Sequence, residues 1–199
     1  MMFLRGSFSR YAFLISLSLL LAGCGGDAET KNTDPDGPTG PTGPAYHIGY
    51  DTLVVNNVGY VAPQVRYYGP YNVPAGTYLT GLGVALGTGS YTQPNTFQLA
   101  LYSDAGNTPG TLIVTSATGV WVDATQNEMT TPTTYLAPGD YWVAANAETG
   151  TFYVGQGTLL GESNSRYETV ATGWGTWPSA ATSAVSSTFA SHVYMIVAD

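Results

Sequence analysis

From residue 46 to residue 199, no stretch of this chain sustains the three-to-four-residue apolar spacing by which a helix buries one face. Short alternating runs take its place. In Thr96-Phe97-Gln98-Leu99-Ala100-Leu101-Tyr102, the side chains of Phe97, Leu99 and Leu101 face one side and those of Gln98 and Tyr102 the other. Leu82, Val84 and Leu86 repeat the pattern across Gly83 and Ala85. Further strands are expected at 52–56, 112–116, 120–123, 141–145, 151–154 and 192–198, bounded by Gly, Pro, Asn and Asp. Many strands with turn signals and no intervening helix specify an all-β protein. The expected architecture is a single β-sandwich, jelly-roll-like, with an Ig-like sandwich as the alternative. A chain of this length buries roughly two thirds of its surface, enough to stand without disulfides.

One local pattern occurs twice. Val73-Pro74-Ala75-Gly76-Thr77-Tyr78 and Leu136-Ala137-Pro138-Gly139-Asp140-Tyr141 both join a Pro/Gly turn to a Tyr that starts a strand. Pro fixes φ and Gly tolerates positive φ, so 137–140 is expected to form a type II turn. The Tyr hydroxyl is placed to bond back to the corner backbone, as in the tyrosine corner of sandwich folds. The stretch from Phe97 to Ile113, with Leu-Tyr-Ser-Asp and Pro-Gly-Thr-Leu within it, and the later Leu136-Ala-Pro-Gly-Asp-Tyr-Trp-Val143 resemble β-sandwich modules of exported and surface-anchored bacterial proteins. Gly173-Trp-Gly-Thr-Trp-Pro178 fits the same type. These are turn and core signatures, so the resemblance implies a fold and no particular activity.

The N-terminus carries a second resemblance. Arg5 and Arg10 precede a mostly apolar run, 11–21, too short to cross a bilayer of roughly 30 Å as a permanent helix. Leu21-Ala22-Gly23-Cys24 then resembles the bacterial lipobox, an aliphatic and two small residues before a cysteine. The resemblance implies cleavage before Cys24, a thioether-linked diacylglycerol on its sulfur and acylation of the new N-terminus. Several acyl chains at about 0.8 kcal/mol per buried methylene make a firm membrane anchor. Cys24 is the only cysteine, so it has no disulfide partner within the chain. Enterobacterial lipoproteins retained in the inner membrane favour Asp after the cysteine; Gly25 here points to the outer membrane. The expected division is a signal peptide at 1–23, a lipidated N-terminus and flexible Pro/Gly linker at 24–45, and the β-sandwich at 46–199. Gly37-Pro-Thr-Gly-Pro-Thr-Gly-Pro44 has a collagen-like period over fewer than three triplets, which suits a stiff spacer rather than a triple helix. At about 3.1 Å per residue the linker spans on the order of 60 Å when extended.

Charge narrows the partners. All thirteen acids follow Cys24, but of the bases only Lys31, Arg66 and Arg166 do, which leaves a formal charge of −10. Such a chain offers no patch for displacing phosphate counterions, so nucleic acid is excluded as a partner. His47 and His192 lie far apart, and neither has a second His or Cys at zinc-ligand spacing. There is no Gly-x-Ser-x-Gly elbow. Asp104 and Asn107, in a tight loop between two strands, are candidate ligands for a structural Ca2+, although Asp, Gly and Asn are also what a turn requires; no other cofactor is expected. Trp174 and Trp177, in a Gly-rich segment, are candidate stacking surfaces for a sugar, or a plug packed over one end of the sandwich. The expectation is a non-enzymatic binding or structural domain with a glycan or an envelope protein as partner. The alternative is a carbohydrate-active enzyme of glycoside hydrolase or lyase type, using loop carboxylates among Glu128, Glu148, Glu162 and Glu168.

Overall fold

The computed structural model describes residues 40–51, 56–61, 64–85, 96–122, 125–149, 151–157, 165–169, 174–181, 185–187 and 190–199. Cys24, the signal segment, the linker up to residue 39, Leu86, Asp123 and Glu162 lie outside them. Pro38–Asp199 forms one compact unit, and all of its regular structure among the described residues is β.

The strands in chain order are β1 (Tyr46–Gly49), β2 (Asn56–Val61), β3 (Gln64–Val73), β4 (Thr77–Ala85), β5 (Thr96–Asp104), β6 (Pro109–Thr115) and β7 (Gly119–Val120). They continue as β8 (Gln126–Leu136), β9 (Gly139–Ala147), β10 (Thr151–Gly157), β11 (Ser165–Thr169), β12 (Val185–Ser187), β13 (Ala190–Ser191) and β14 (Val193–Ala198). Two antiparallel sheets face each other. One has the order β1-β14-β4-β8; the other runs β12-β11-β3-β9-β5-β6, with β7 also paired to β5. A small sheet, β13-β10-β2, continues the first. The junction is His192, whose N–H donates to Gly155 of β10 and whose carbonyl accepts from Ala85 of β4. Chain connections pass from sheet to sheet at β3–β4, β4–β5 and β8–β9, so the β-sandwich is wound across its own core.

Alternation explains that core. Leu79, Leu82 and Val84 of β4 and Val193, Met195 and Val197 of β14 meet Phe97, Leu99 and Leu101 of β5 and Val143, Ala145 and Ala147 of β9. On β14 the spacing stays at two along the strand, because the register irregularity at Ile196/Val197 is absorbed in its pairing with β4. The outer face of the second sheet is buried as well. Val65, Tyr67, Ala100, Tyr102, Trp142 and Ala144 form a second apolar cluster, covered by Leu112, Trp177 and Ala181. The segment 179–181 fastens to β6 through Leu112 N–H to Ser179 O (3.1 Å) and Ala181 N–H to Gly110 O (3.0 Å). That arrangement fills both faces of β5 over Leu99–Tyr102 and of β9 over Trp142–Ala145.

Two turn expectations meet different outcomes. The Tyr141 hydroxyl donates to Ala137 O at 2.8 Å, closing the expected tyrosine corner. The turn at 137–140 is not type II: Gly139 has φ +157, far from the roughly +80° of that turn. Gly139 is already extended because it forms the first rung of β9, opposite Val73.

Candidate functional site

After β6 the chain leaves the second sheet, and Ala117 N–H donates to Thr130 O of β8 at 2.9 Å. It returns as β7, with Gly119 opposite Phe97. A Cβ on Gly119 would sit 2.5 Å from the Met129 sulfur, so glycine lets the strand lie directly on that side chain. Beyond it, Trp121 turns inward and meets Phe97 edge-on at 4.7 Å. Alternation then forces Val120 and Val122 outward, at 62% and 55% exposure. The Asn127 amide holds this segment as a strand would: Oδ1 accepts from Val122 N–H and Nδ2 donates to Val122 O, both at 2.9 Å. The result is an open cleft of about 420 Å³, lined by buried Phe97 and Met129 and by the exposed Val120, Val122, Gln126 and Glu128. Its size lies within the range of small-ligand sites.

The Glu128 carboxylate belongs to a larger group. Glu128 of β8, Gly83 of β4, Tyr194 of β14 and Gly49 of β1 lie in one row across the first sheet. Gly83 has no side chain, and the Tyr194 ring occupies that place, its Cζ 2.2 Å from where a Cβ would be. The Tyr194 hydroxyl thereby reaches Glu128 Oε1 and donates to it at 3.0 Å. Burial, and then the adjoining Glu128 carboxylate, push this phenol well above the ordinary tyrosine range, so it remains a donor. His47 lies on the Tyr194 ring, centroids 4.6 Å apart. Its Nδ1 is 2.8 Å from Asp51 Oδ2 and its Nε2 is 3.5 Å from Glu128 Oε1. An imidazole bracketed by two carboxylates orients them. Among the described residues the ring nitrogens contact carboxylates.

The cleft has a defined place relative to the chain's path into the fold. Thr42 and Gly43 donate backbone N–H groups to Asp199 O at 2.6 and 2.7 Å, and Tyr46 donates its hydroxyl to Asp199 Oδ1 at 3.3 Å. The linker thus joins the sandwich beside the end of β14. From there back to Tyr194, on the row of Glu128, the strand covers about 17 Å. Linker and cleft sit at opposite ends of the same strands.

Of the residues singled out from sequence, Glu128 lines the cleft, and the other described ones lie elsewhere. Asp104 caps a hairpin. Its Oδ2 accepts the N–H groups of Gly106 (2.9 Å) and Asn107 (3.0 Å), and its Oδ1 accepts from Trp142 Nε1 (2.8 Å). Gly106 and Asn107 both have positive φ, +76 and +63, the signature of a primed hairpin turn. Burial alone would raise the Asp104 pKa, but the Trp142 and backbone donors outweigh it and hold the carboxyl below its usual range. Among the described residues no group of three or more His, Cys, Asp or Glu is placed to hold a metal ion. Trp177 is half-buried on the outer face of the second sheet, its Nε1 donating to Gln98 Oε1 at 2.8 Å, and Pro178 O accepts from the Tyr102 hydroxyl at 2.8 Å. Trp174, also half-buried, sits in a turn with Gly175. Of the carboxylates, Glu128 is on strand β8 rather than in a loop. Glu148 follows β9 and accepts from the Thr96 hydroxyl, and Glu168 lies in β11.

Sequence reading did not find the site that His47, Asp51, Glu128 and Tyr194 form. Positions 47 and 128 share no linear pattern, and only the order β1-β14-β4-β8 brings them together. No family model matches the chain, and neither a curated protein nor a solved structure matches it.

Proposed function

We propose that this chain is a lipid-anchored protein of the bacterial envelope whose β-sandwich is a non-enzymatic binding module, with the cleft beside β7 and β8 as its ligand seat. In this reading Cys24 carries the acyl chains, the Pro/Gly linker is the tether, and the outer membrane is the site of attachment. A glycan or a protein of the envelope is the ligand. The observation that carries the reading is the polarity of the domain: the linker joins it beside Asp199, and the open, valine-rimmed cleft lies at the far end. Two valines more than half exposed contribute little to the fold, whereas apolar surface in one cleft with a fixed carboxylate is what a small recognition site needs.

The test has two arms on the full chain expressed in a Gram-negative host. Cys24→Ala is expected to abolish palmitate labelling and release the protein from the membrane fraction. The full chain, in detergent, is then screened on a glycan array and against purified envelope proteins, beside Val120→Asp and Val122→Asp. Binding that both aspartates abolish supports the seat. Labelling that survives Cys24→Ala removes the anchor, and binding indifferent to both aspartates removes the cleft.

A further inference from the structure

The cleft lining combines two chemistries, and together they select a ligand. Its exposed apolar members are aliphatic, Val120 and Val122, while its aromatic ring, Phe97, is 1% exposed. A sugar face stacks on a flat, open aromatic ring, and this cleft presents none. The same cleft is lined by one carboxylate, that of Glu128. Both contacts of Glu128 fall on Oε1, from the Tyr194 hydroxyl and from His47 Nε2, and among the described residues Oε2 has no partner. Tyr194 is fully buried and already holds the carboxylate, so little rotamer freedom remains to be lost on binding. Asp51 adds a second negative charge within the same group. Among the described side chains, Arg66 of β3 is the only Lys or Arg, and the chain as a whole has thirteen acids against five bases. The field at the cleft therefore draws cations in.

We infer that the cleft receives a lysine or arginine side chain presented by a protein partner, its alkyl stem against Val120 and Val122 and its charge on Glu128 Oε2. Those side chains combine an aliphatic stem with a cationic tip, which the valines and the carboxylate of the cleft lining match. The inference rests on the reading of the domain as a binding module and adds the class of partner.

The experiment follows backbone amide signals of the full chain in neutral-headgroup detergent micelles. Three probes are titrated: acetyl-Ala-Lys-Ala-Lys-Ala-amide, the same peptide with Gln for Lys, and chitotriose as a neutral sugar. The lysine peptide is expected to shift Gly119, Val120 and Glu128, and the glutamine peptide to leave them in place. Glu128→Gln keeps an acceptor for Tyr194 and is expected to weaken the lysine peptide about five- to tenfold. Asp140→Asn removes the same charge at the linker end, where Asp140 pairs with Asn72, and is expected to change nothing. Equal binding of the two peptides, or a Glu128→Gln variant that binds as wild type, overturns the inference. Chitotriose moving the same amides while the lysine peptide does not would keep the seat and replace its occupant. If no probe moves them and the valine substitutions leave envelope binding intact, the cleft fails as the ligand seat and the inference fails with it.

Discussion

Tyr194 reaches Glu128 by lying across Gly83, and the strand between them has no side chain at that point. The site therefore depends on a glycine that touches no ligand. Gly83→Ala must displace a fully buried ring, at a cost of about 1–3 kcal/mol. Urea denaturation of Gly83→Ala, Tyr194→Ala and the double variant checks this. The alanine is expected to cost much less once Tyr194 is gone, and strict additivity would refute the relationship.

Asp104 sets a pH dependence. Its folded-state pKa is depressed below the ordinary aspartate range, so its contribution is fully present above the unfolded pKa and is lost as pH falls through the lower folded value. Asp104→Asn is expected to cost about 1–2 kcal/mol at neutral pH through weaker bonds to Trp142, Gly106 and Asn107. The gap between wild type and variant should close below about pH 4, where protonation removes the same charge. Denaturant midpoints from pH 7 to pH 2 would show it, and a constant gap would contradict it.

Trp177 is a packing residue with one polar contact. Trp177→Ala uncovers the cluster of Tyr67, Tyr102 and Trp142 and is expected to cost about 2–4 kcal/mol. Trp177→Phe keeps a ring there and loses the bond to Gln98, about 1 kcal/mol. Thermal unfolding with near-ultraviolet circular dichroism separates the two. A folded, undiminished Trp177→Ala variant would favour the stacking-surface reading of this residue over the packing one.

The tyrosine corner gives a smaller effect. Tyr141→Phe removes the bond to Ala137 O and nothing else, so the expected loss is about 0.5–1.5 kcal/mol. Unchanged stability in urea would mean that the hydroxyl only accompanies the corner.

How far the chain could be read in advance follows from which strands alternate. β5, β9 and β14 carry core residues at every second position and declare themselves. β8 does not: Met129 and Leu136 reach the core, but a Thr-rich stretch with Pro132 lies between, as suits a strand at the margin of its sheet. β3 is interrupted at Gly69-Pro70, where its register against β9 shifts between Tyr68 and Tyr71, and that break hides a strand of ten residues. The cleft is harder still. Its lining comes from a two-residue strand and a polar one, and the carboxylate that matters is fixed by a tyrosine 66 positions later. Pairing of distant strands creates that neighbourhood, and no local spacing encodes it. Asp104 shows a different ambiguity: Asp, Gly and Asn suit a turn as well as a cation loop, and the bonds its carboxylate accepts come from Gly106 and Asn107 of the turn and from Trp142 of β9.

The linker joins beside Asp199 while the cleft opens at the other end of β14, and this sets how the domain bears load. A pull on the tether with the cleft held runs along the strands, nearly at right angles to the ladder bonds between β1, β14 and β4. Those bonds are then strained together in shear instead of being peeled apart one by one. On the proposed reading, with the linker as tether and the cleft as ligand seat, the sandwich is mounted to resist tension between the two.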